Sequence, residues 1–182
     1  MPNCCAVPAA TTSAAVCCPI SGTKGKPVEL QTVKALLTPE ALRQLNASPH
    51  RFCPEPTCAV VYFDESGHTY SKADIRVPVW QKEPFGARMV CYCFGENEAD
   101  MRTEIVAMGS SDAVERVRAH IDAGRCACEV RNPRGVCCLG DVTAAVARVA
   151  AELAPAELSE AGSVPWKATR RIRSASLRPE AG

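Results

Sequence analysis

Ten of the twelve cysteines in this 182-residue chain fall into two sets, and each set has the spacing of a metal site. "VCYCFG" carries Cys91 and Cys93 one residue apart, and "RCACEVRNPRGVCC" carries Cys126, Cys128, Cys137 and Cys138 within fourteen residues. In an extended loop, two thiols one residue apart can reach the same metal ion, while the intervening amides hydrogen-bond to its sulfur ligands. Thirty-four residues separate Cys93 from Cys128, and eight more lead to the vicinal pair Cys137 and Cys138. Two loops supplying two thiolates each meet the demand of a [2Fe–2S] cluster, in which each iron takes two cysteine sulfurs beside the bridging sulfides. A Cys4 zinc site would be satisfied by the same set. Glycine and proline close to the ligands ("FGE", "NPRG") leave amides free near sulfur, which favours the cluster.

The second set is Cys17 and Cys18 with Cys53 and Cys58. Four thiols can close a zinc tetrahedron, and such a site stabilises a small domain by roughly 10–16 kcal/mol as apparent binding energy. That matters in a chain with only nine aromatic residues to build a core. Two adjacent cysteines on one ion would strain their loop, and His50 and His68 are possible substitutes as ligands. Cys4 and Cys5 read as solvated thiols or as a mobile pair for a soft ion such as Cu(I), and Cys126 is left over.

The elements that must hold these residues indicate an α+β fold. "VELQTVKALL" has helical spacing, and "TPEALRQLN" starts a short helix with Thr38 as N-cap and Pro39 at its first position. "CAVVYF" (58–63), the turn "DESG" and "HTYS" make a β-hairpin, and "DIRVPVW" (74–80) reads as an edge strand because it contains Pro78. Helices follow. "NEADMRTEIVAMG" ends at Gly109, "SDAVERVRAHIDAG" has Asp112 and Glu115 placed as a capping box, and a third helix is capped by Asp141. The first two, joined by "GSS", form a helical hairpin that brings both cysteine loops to one end. The expected organisation is a flexible leader (1–16), a zinc-binding hairpin domain (17–85), a helical [2Fe–2S] domain (86–155) and a flexible basic tail (156–182).

The totals restrict function further. A net charge of +1 argues against general nucleic-acid binding, and the longest aliphatic stretch is broken by Arg148, Glu152 and Pro155, so no membrane insertion is expected. The first residues lack a basic start and a sustained apolar run, which suggests a cytoplasmic protein whose thiols stay reduced and available to metal. No nucleophile–base pattern or phosphate loop stands out. The chain reads as an electron-transfer or metal-handling protein sooner than as an enzyme with its own substrate pocket.

"RFCPEPTCAVVYF", "VCYCFGE" and "CEVRNPRGVCC" together resemble the N-terminal module of the prokaryotic CopZ copper chaperones over roughly residues 17 to 140. The helical half is also similar to bacterioferritin-associated ferredoxin. The resemblance implies a [2Fe–2S] cluster on Cys91, Cys93, Cys128 and one of the vicinal pair, taken as Cys138 at the threshold of the last helix. It implies zinc near Cys18, Cys53 and Cys58. Where the family often has C-P-x-C, this chain reads "CCPISG", with Ser21 in place of the second cysteine and Cys17 as its substitute. The chain contains no C-x-x-C, the motif of the family's separate copper-carrying domain. The implied function is single-electron transfer in copper homeostasis, with a copper chaperone, transporter or reductase as partner. The alternative is a module that binds and delivers Cu(I) without a redox role.

Overall fold

Four short strands form an antiparallel sheet in the order β1-β2-β3-β4: β1 (Lys26–Val28), β2 (His50–Phe52), β3 (Val60–Asp64) and β4 (Thr69–Ser71). The computed structural model describes residues 16–154, so Cys4, Cys5, nearly all of the expected leader and the expected basic tail lie outside the described residues. Strand β3, "VVYFD", is buried along its whole length. Val61 and Tyr62 join the core formed with Val33, Leu36, Leu37, Phe52 and Tyr70, whereas Val60 and Phe63 pack with Cys18, Cys53 and Cys58. A strand that must be apolar on both faces reads as a continuous hydrophobic run, which is why this hairpin is the plainest β signal in the sequence. Two helices complete this half, α1 (Leu30–Leu36) and α2 (Pro39–Leu42), and Thr38 caps the second by accepting the Ala41 N–H at 3.3 Å.

The second half starts with a two-stranded ladder, β5 (Met89–Cys91) and β6 (Glu96–Asn97). Four helices follow: α3 (Glu98–Met108), α4 (Ala113–Asp122), α5 (Cys128–Arg131) and α6 (Leu139–Leu153). Helices α3 and α4 both pack on α6. Met101, Val117, Val142 and Ala145 meet there around Cys91, Cys128 and Cys138. Gly109 ends α3 in the left-handed conformation (φ +80°), which closes the helix without the Cβ clash another residue would bring. Buried Glu98 is paired with Arg148 of α6 and accepts the Gly86 N–H, tying the entry of this half to its last helix.

Polar contacts join the two halves. Tyr62 donates its hydroxyl to the Pro133 carbonyl at 2.7 Å, and Thr32 of α1 donates to the Glu129 carbonyl of α5 at 2.6 Å. Tyr92 donates to the Pro78 carbonyl and accepts the Trp80 N–H.

Several local expectations are corrected. Residues 74–80 do not form an edge strand: Ile75 makes a single bridge to Leu37, and a 3₁₀ turn begins at Trp80. Asp74 is drawn instead into a capping box with Ser71, and Pro78 has no N–H to extend a ladder. Asp112 does not cap α4; Ser111 accepts the Ala113 N–H, while Glu104 holds the Ser111 hydroxyl. Asp141 lies within the first turn of α6 and pairs with Arg134, because α6 begins two residues earlier, at Leu139. Strands β1 and β2 carry too few residues and too little alternation to announce themselves; Lys24–Pro27 reads as a loop in the sequence.

Candidate metal centres

The sulfurs of Cys18, Cys53 and Cys58 lie within 4.8 Å of one another, all three buried, and among the described residues no other group of three cysteines, histidines or carboxylates converges so closely. Cys18 and Cys58 are 3.9 Å apart. Zinc–sulfur bonds of about 2.3 Å set tetrahedral sulfur–sulfur edges of about 3.8 Å, so the spacing fits one ion. The sheet creates this geometry. Cys53 directly follows β2 and continues its ladder through an N–H bond to the Val61 carbonyl, while Cys58 enters β3 from the other end of the same loop. Cys18 opens a tight turn ahead of β1, closed by Cys18 N–H to Thr23 O at 2.9 Å and Gly22 N–H to Cys18 O at 2.8 Å.

Burial works to raise the Cys18 pKa, but hydrogen bonds from the Ser21 hydroxyl, from the amides of Ser21 and Ile20 and from Cys53 bring it down to about 7. Burial pushes the Cys53 thiol up. A group of thiols in which burial resists ionisation calls for a cation. One cation is already present: Lys82, almost fully buried, donates to the carbonyls of Glu55 at 2.7 Å and Cys58 at 3.1 Å. Burial lowers its pKa, and the charges of Cys53, Cys58 and Cys18 oppose that shift. Lys82 is the residue that sequence reasoning missed, because a lysine in "WQKEP" looks like any surface lysine.

Cys17, expected as the fourth ligand, is not part of this group. It is held in a bridge with Lys24, outside the three converging sulfurs. Neither His50 nor His68 substitutes for it. Both pack around Tyr70, with ring centroids 6.0 and 4.7 Å away.

In the helical half the thiols meet in pairs. Cys93 and Cys128 are 3.9 Å apart, and Cys91 and Cys138 neighbour each other in the same buried core. Each pair joins the C-x-C loop to the second cysteine loop: Cys91 ends β5, Cys93 sits in the turn before β6, Cys128 starts α5 and Cys138 precedes α6. The four do not close into one set of the kind formed by Cys18, Cys53 and Cys58. Thiols supplied by two loops are compatible with a site of more than one metal ion. The hydrogen bond from Cys138 brings the Cys91 pKa down to about 7, and the same bond, with burial, raises that of Cys138. Burial, followed by the neighbouring Cys93, pushes the Cys128 thiol up to about 12. The Ala127 N–H points at the Cys93 sulfur at 3.4 Å, an amide of the sort that stabilises cluster thiolates. Cys137 is exposed and Cys126 half-buried beside the core, while Cys138 is buried.

Residues 15–76 match the family model zf_CopZ, described as a zinc binding domain. That segment contains Cys18, Cys53 and Cys58. A solved structure, the X-ray structure of the Archaeoglobus fulgidus CopZ N-terminal domain, superposes with a TM-score of 0.57 at 28% sequence identity, covering 70% of this chain and 95% of the other. The chain resembles the CopZ N-terminal domain. No curated protein matches it. The likeness to the CopZ N-terminal domain extends past residue 76, since 70% of the chain is more than the zinc binding segment alone. Among the described residues, no helix is long and apolar enough to cross a membrane.

Proposed function

We propose that the chain is a CopZ-type metal module that holds one zinc ion on its sheet half and a [2Fe–2S] cluster on its helical half, and that it passes single electrons within copper homeostasis. The observation that carries the cluster is the division of four thiols into two pairs, Cys93 with Cys128 and Cys91 with Cys138, each bridging the same two loops. When bound, the cluster supplies a one-electron couple between its two iron valence states. The protein's own part is positional. Helices α3 and α4 set the distance between the loops, the Ala127 amide supports the Cys93 sulfur, and the buried core shields Cys91, Cys128 and Cys138 from water. Zinc on Cys18, Cys53 and Cys58 would fasten the two ends of the β2–β3 loop and the Cys18 turn to the sheet. The domain division near residue 85 belongs to the same proposal, supported by separate cores around Tyr62 and around Met101. The partner is a copper chaperone, transporter or reductase.

The test is anaerobic purification with visible absorption and elemental analysis for iron, zinc and copper. A red-brown protein with about two irons and one zinc is expected, the content these two site types require. Cys138→Ser abolishes the colour and Cys137→Ser retains it. Colourless protein that resists cluster reconstitution while taking up Cu(I) would replace electron transfer by metal delivery.

A further inference from the structure

The zinc triad leaves a fourth corner, and one side chain on the page has the position to fill it. The Ser21 hydroxyl oxygen is 3.4 Å from the Cys53 sulfur. A zinc–sulfur bond of about 2.3 Å and a zinc–oxygen bond of about 2.0 Å, opened to the tetrahedral angle, put sulfur and oxygen about 3.5 Å apart. Ser21 lies in the turn that Cys18 opens, which presents the hydroxyl to the triad. Its position is fixed by the turn that carries it. The Thr23 N–H donates to the Ser21 oxygen at 3.3 Å, and Gly22 takes φ +70°, the left-handed conformation that lets the chain fold back within four residues of Cys18.

The other candidates do not join the triad. Cys17, His50 and His68 lie outside the group of converging sulfurs, and Lys82 donates its ammonium to two carbonyls.

Charge balance points the same way. Three thiolates and a divalent ion carry one net negative charge, and the buried Lys82 ammonium cancels it. A fourth thiolate would leave an uncompensated charge in a buried site, which is unfavourable.

We propose that the zinc of this chain is held by three sulfurs and one oxygen, with the Ser21 hydroxyl closing the tetrahedron of Cys18, Cys53 and Cys58. This rests on the zinc site of the proposed function. An alcohol oxygen is a weaker zinc donor than a thiolate, so the fourth position is the one an incoming thiol or chelator displaces, and the ion is exchangeable where a four-cysteine site would lock it.

The full chain, purified with zinc, tests this by X-ray absorption at the zinc edge beside competition with a colorimetric chelator. Wild type gives three sulfurs at about 2.3 Å and one lighter donor at about 2.0 Å. Ser21→Cys converts this shell to four sulfurs and slows zinc release, and Cys17→Ser leaves the wild-type shell unchanged. Ser21→Ala lowers zinc affinity at least about tenfold, a change that even outer partners of metal ligands produce when removed. Four sulfurs in wild type overturn the proposal. So does Ser21→Ala with unchanged affinity, which would assign the light donor to water. Wild type that holds iron but no zinc removes the zinc site itself and this proposal with it, a result distinct from either of the other two.

Discussion

Replacing Lys82 by Met separates the charge of that side chain from its bulk. The stem, which runs past the Phe52 ring with the ammonium 5.8 Å from its centroid, is nearly matched in volume by Met. What disappears is the ammonium, with its bonds to the Glu55 and Cys58 carbonyls at 2.7 and 3.1 Å, and the positive charge beside three thiolates. Hydrogen bonds from a charged donor contribute about 1.5–3 kcal/mol each, and two lost bonds set an upper bound near twice that. Removing a buried cation also removes its desolvation penalty, which offsets a good part of the loss. A net weakening of zinc binding of about 1.5–3 kcal/mol remains, or about 10- to 150-fold in dissociation constant. The loop from Cys53 to Cys58 is the segment that loosens, since Lys82 bonds the carbonyl of one ligand and of a residue between the two. The assay is competition for zinc against a chelator of known affinity, with circular dichroism confirming that the metal-loaded variant is folded. A folded Lys82→Met protein whose zinc affinity stays within about threefold of wild type would refute both the charge balance and the loop-anchoring role assigned to Lys82.

Tyr62→Phe deletes the donor to the buried Pro133 carbonyl and should cost about 1–3 kcal/mol in urea unfolding of the metal-loaded protein, with no loss of zinc; an unchanged midpoint would mean that this contact does not join the halves. Asp64 accepts from Asn46, from the Ser66 amide and hydroxyl and from the His68 amide, and although burial works to raise its pKa, these bonds hold it below the usual carboxylate value. A depressed folded pKa contributes stability above the unfolded value of about 3.9 that is lost as pH falls through the folded one. The stability gap between wild type and Asp64→Asn should therefore be full at neutral pH and shrink in that acid window. A gap that stays constant on acidification would show that the carboxylate charge is not what these donors hold.

Much of the site was legible because metal chemistry restricts residue type and spacing so severely. Cys91, Cys93, Cys128 and the vicinal pair Cys137 and Cys138 could be grouped from two loops and the length of the helical hairpin between them, and the structure brings Cys93 to 3.9 Å from Cys128 across those loops. The hairpin carrying Cys58 was equally plain, since β3 is apolar on both faces. What stayed hidden depends on contacts between residues distant in sequence. Strands β1 and β2 are three residues each and gain their order from pairing with β3 and each other. Cys17 and Cys18 are indistinguishable by type, and only the folded turn shows that Cys18 is the one whose sulfur converges with Cys53 and Cys58. The ends of α4 and α6 also escaped local rules, because Glu104 takes Ser111 and Arg134 takes Asp141, contacts made between elements.

The link between the two cysteine groups runs through the loop "NPRG" that joins Cys128 to Cys138. This loop carries Cys128 and Cys138 on its ends, yet its middle is held by the sheet half. Tyr62 bonds the Pro133 carbonyl, and Gly135 (φ +67°) lies so close to α1 that a Cβ there would meet the Thr32 hydroxyl at 2.8 Å. Thr32 in turn bonds the Glu129 carbonyl, one residue after Cys128. Tyr62 sits on the strand that Cys58 enters, two residues from Val60 in the zinc-side cluster. A change in the order of β3 when zinc is lost therefore reaches the loop between Cys128 and Cys138 through one strand and one buried hydrogen bond. Separate cysteine sets do not make independent regions here: the sheet that carries the Cys18, Cys53 and Cys58 triad is also the surface against which the loop between Cys128 and Cys138 takes its shape.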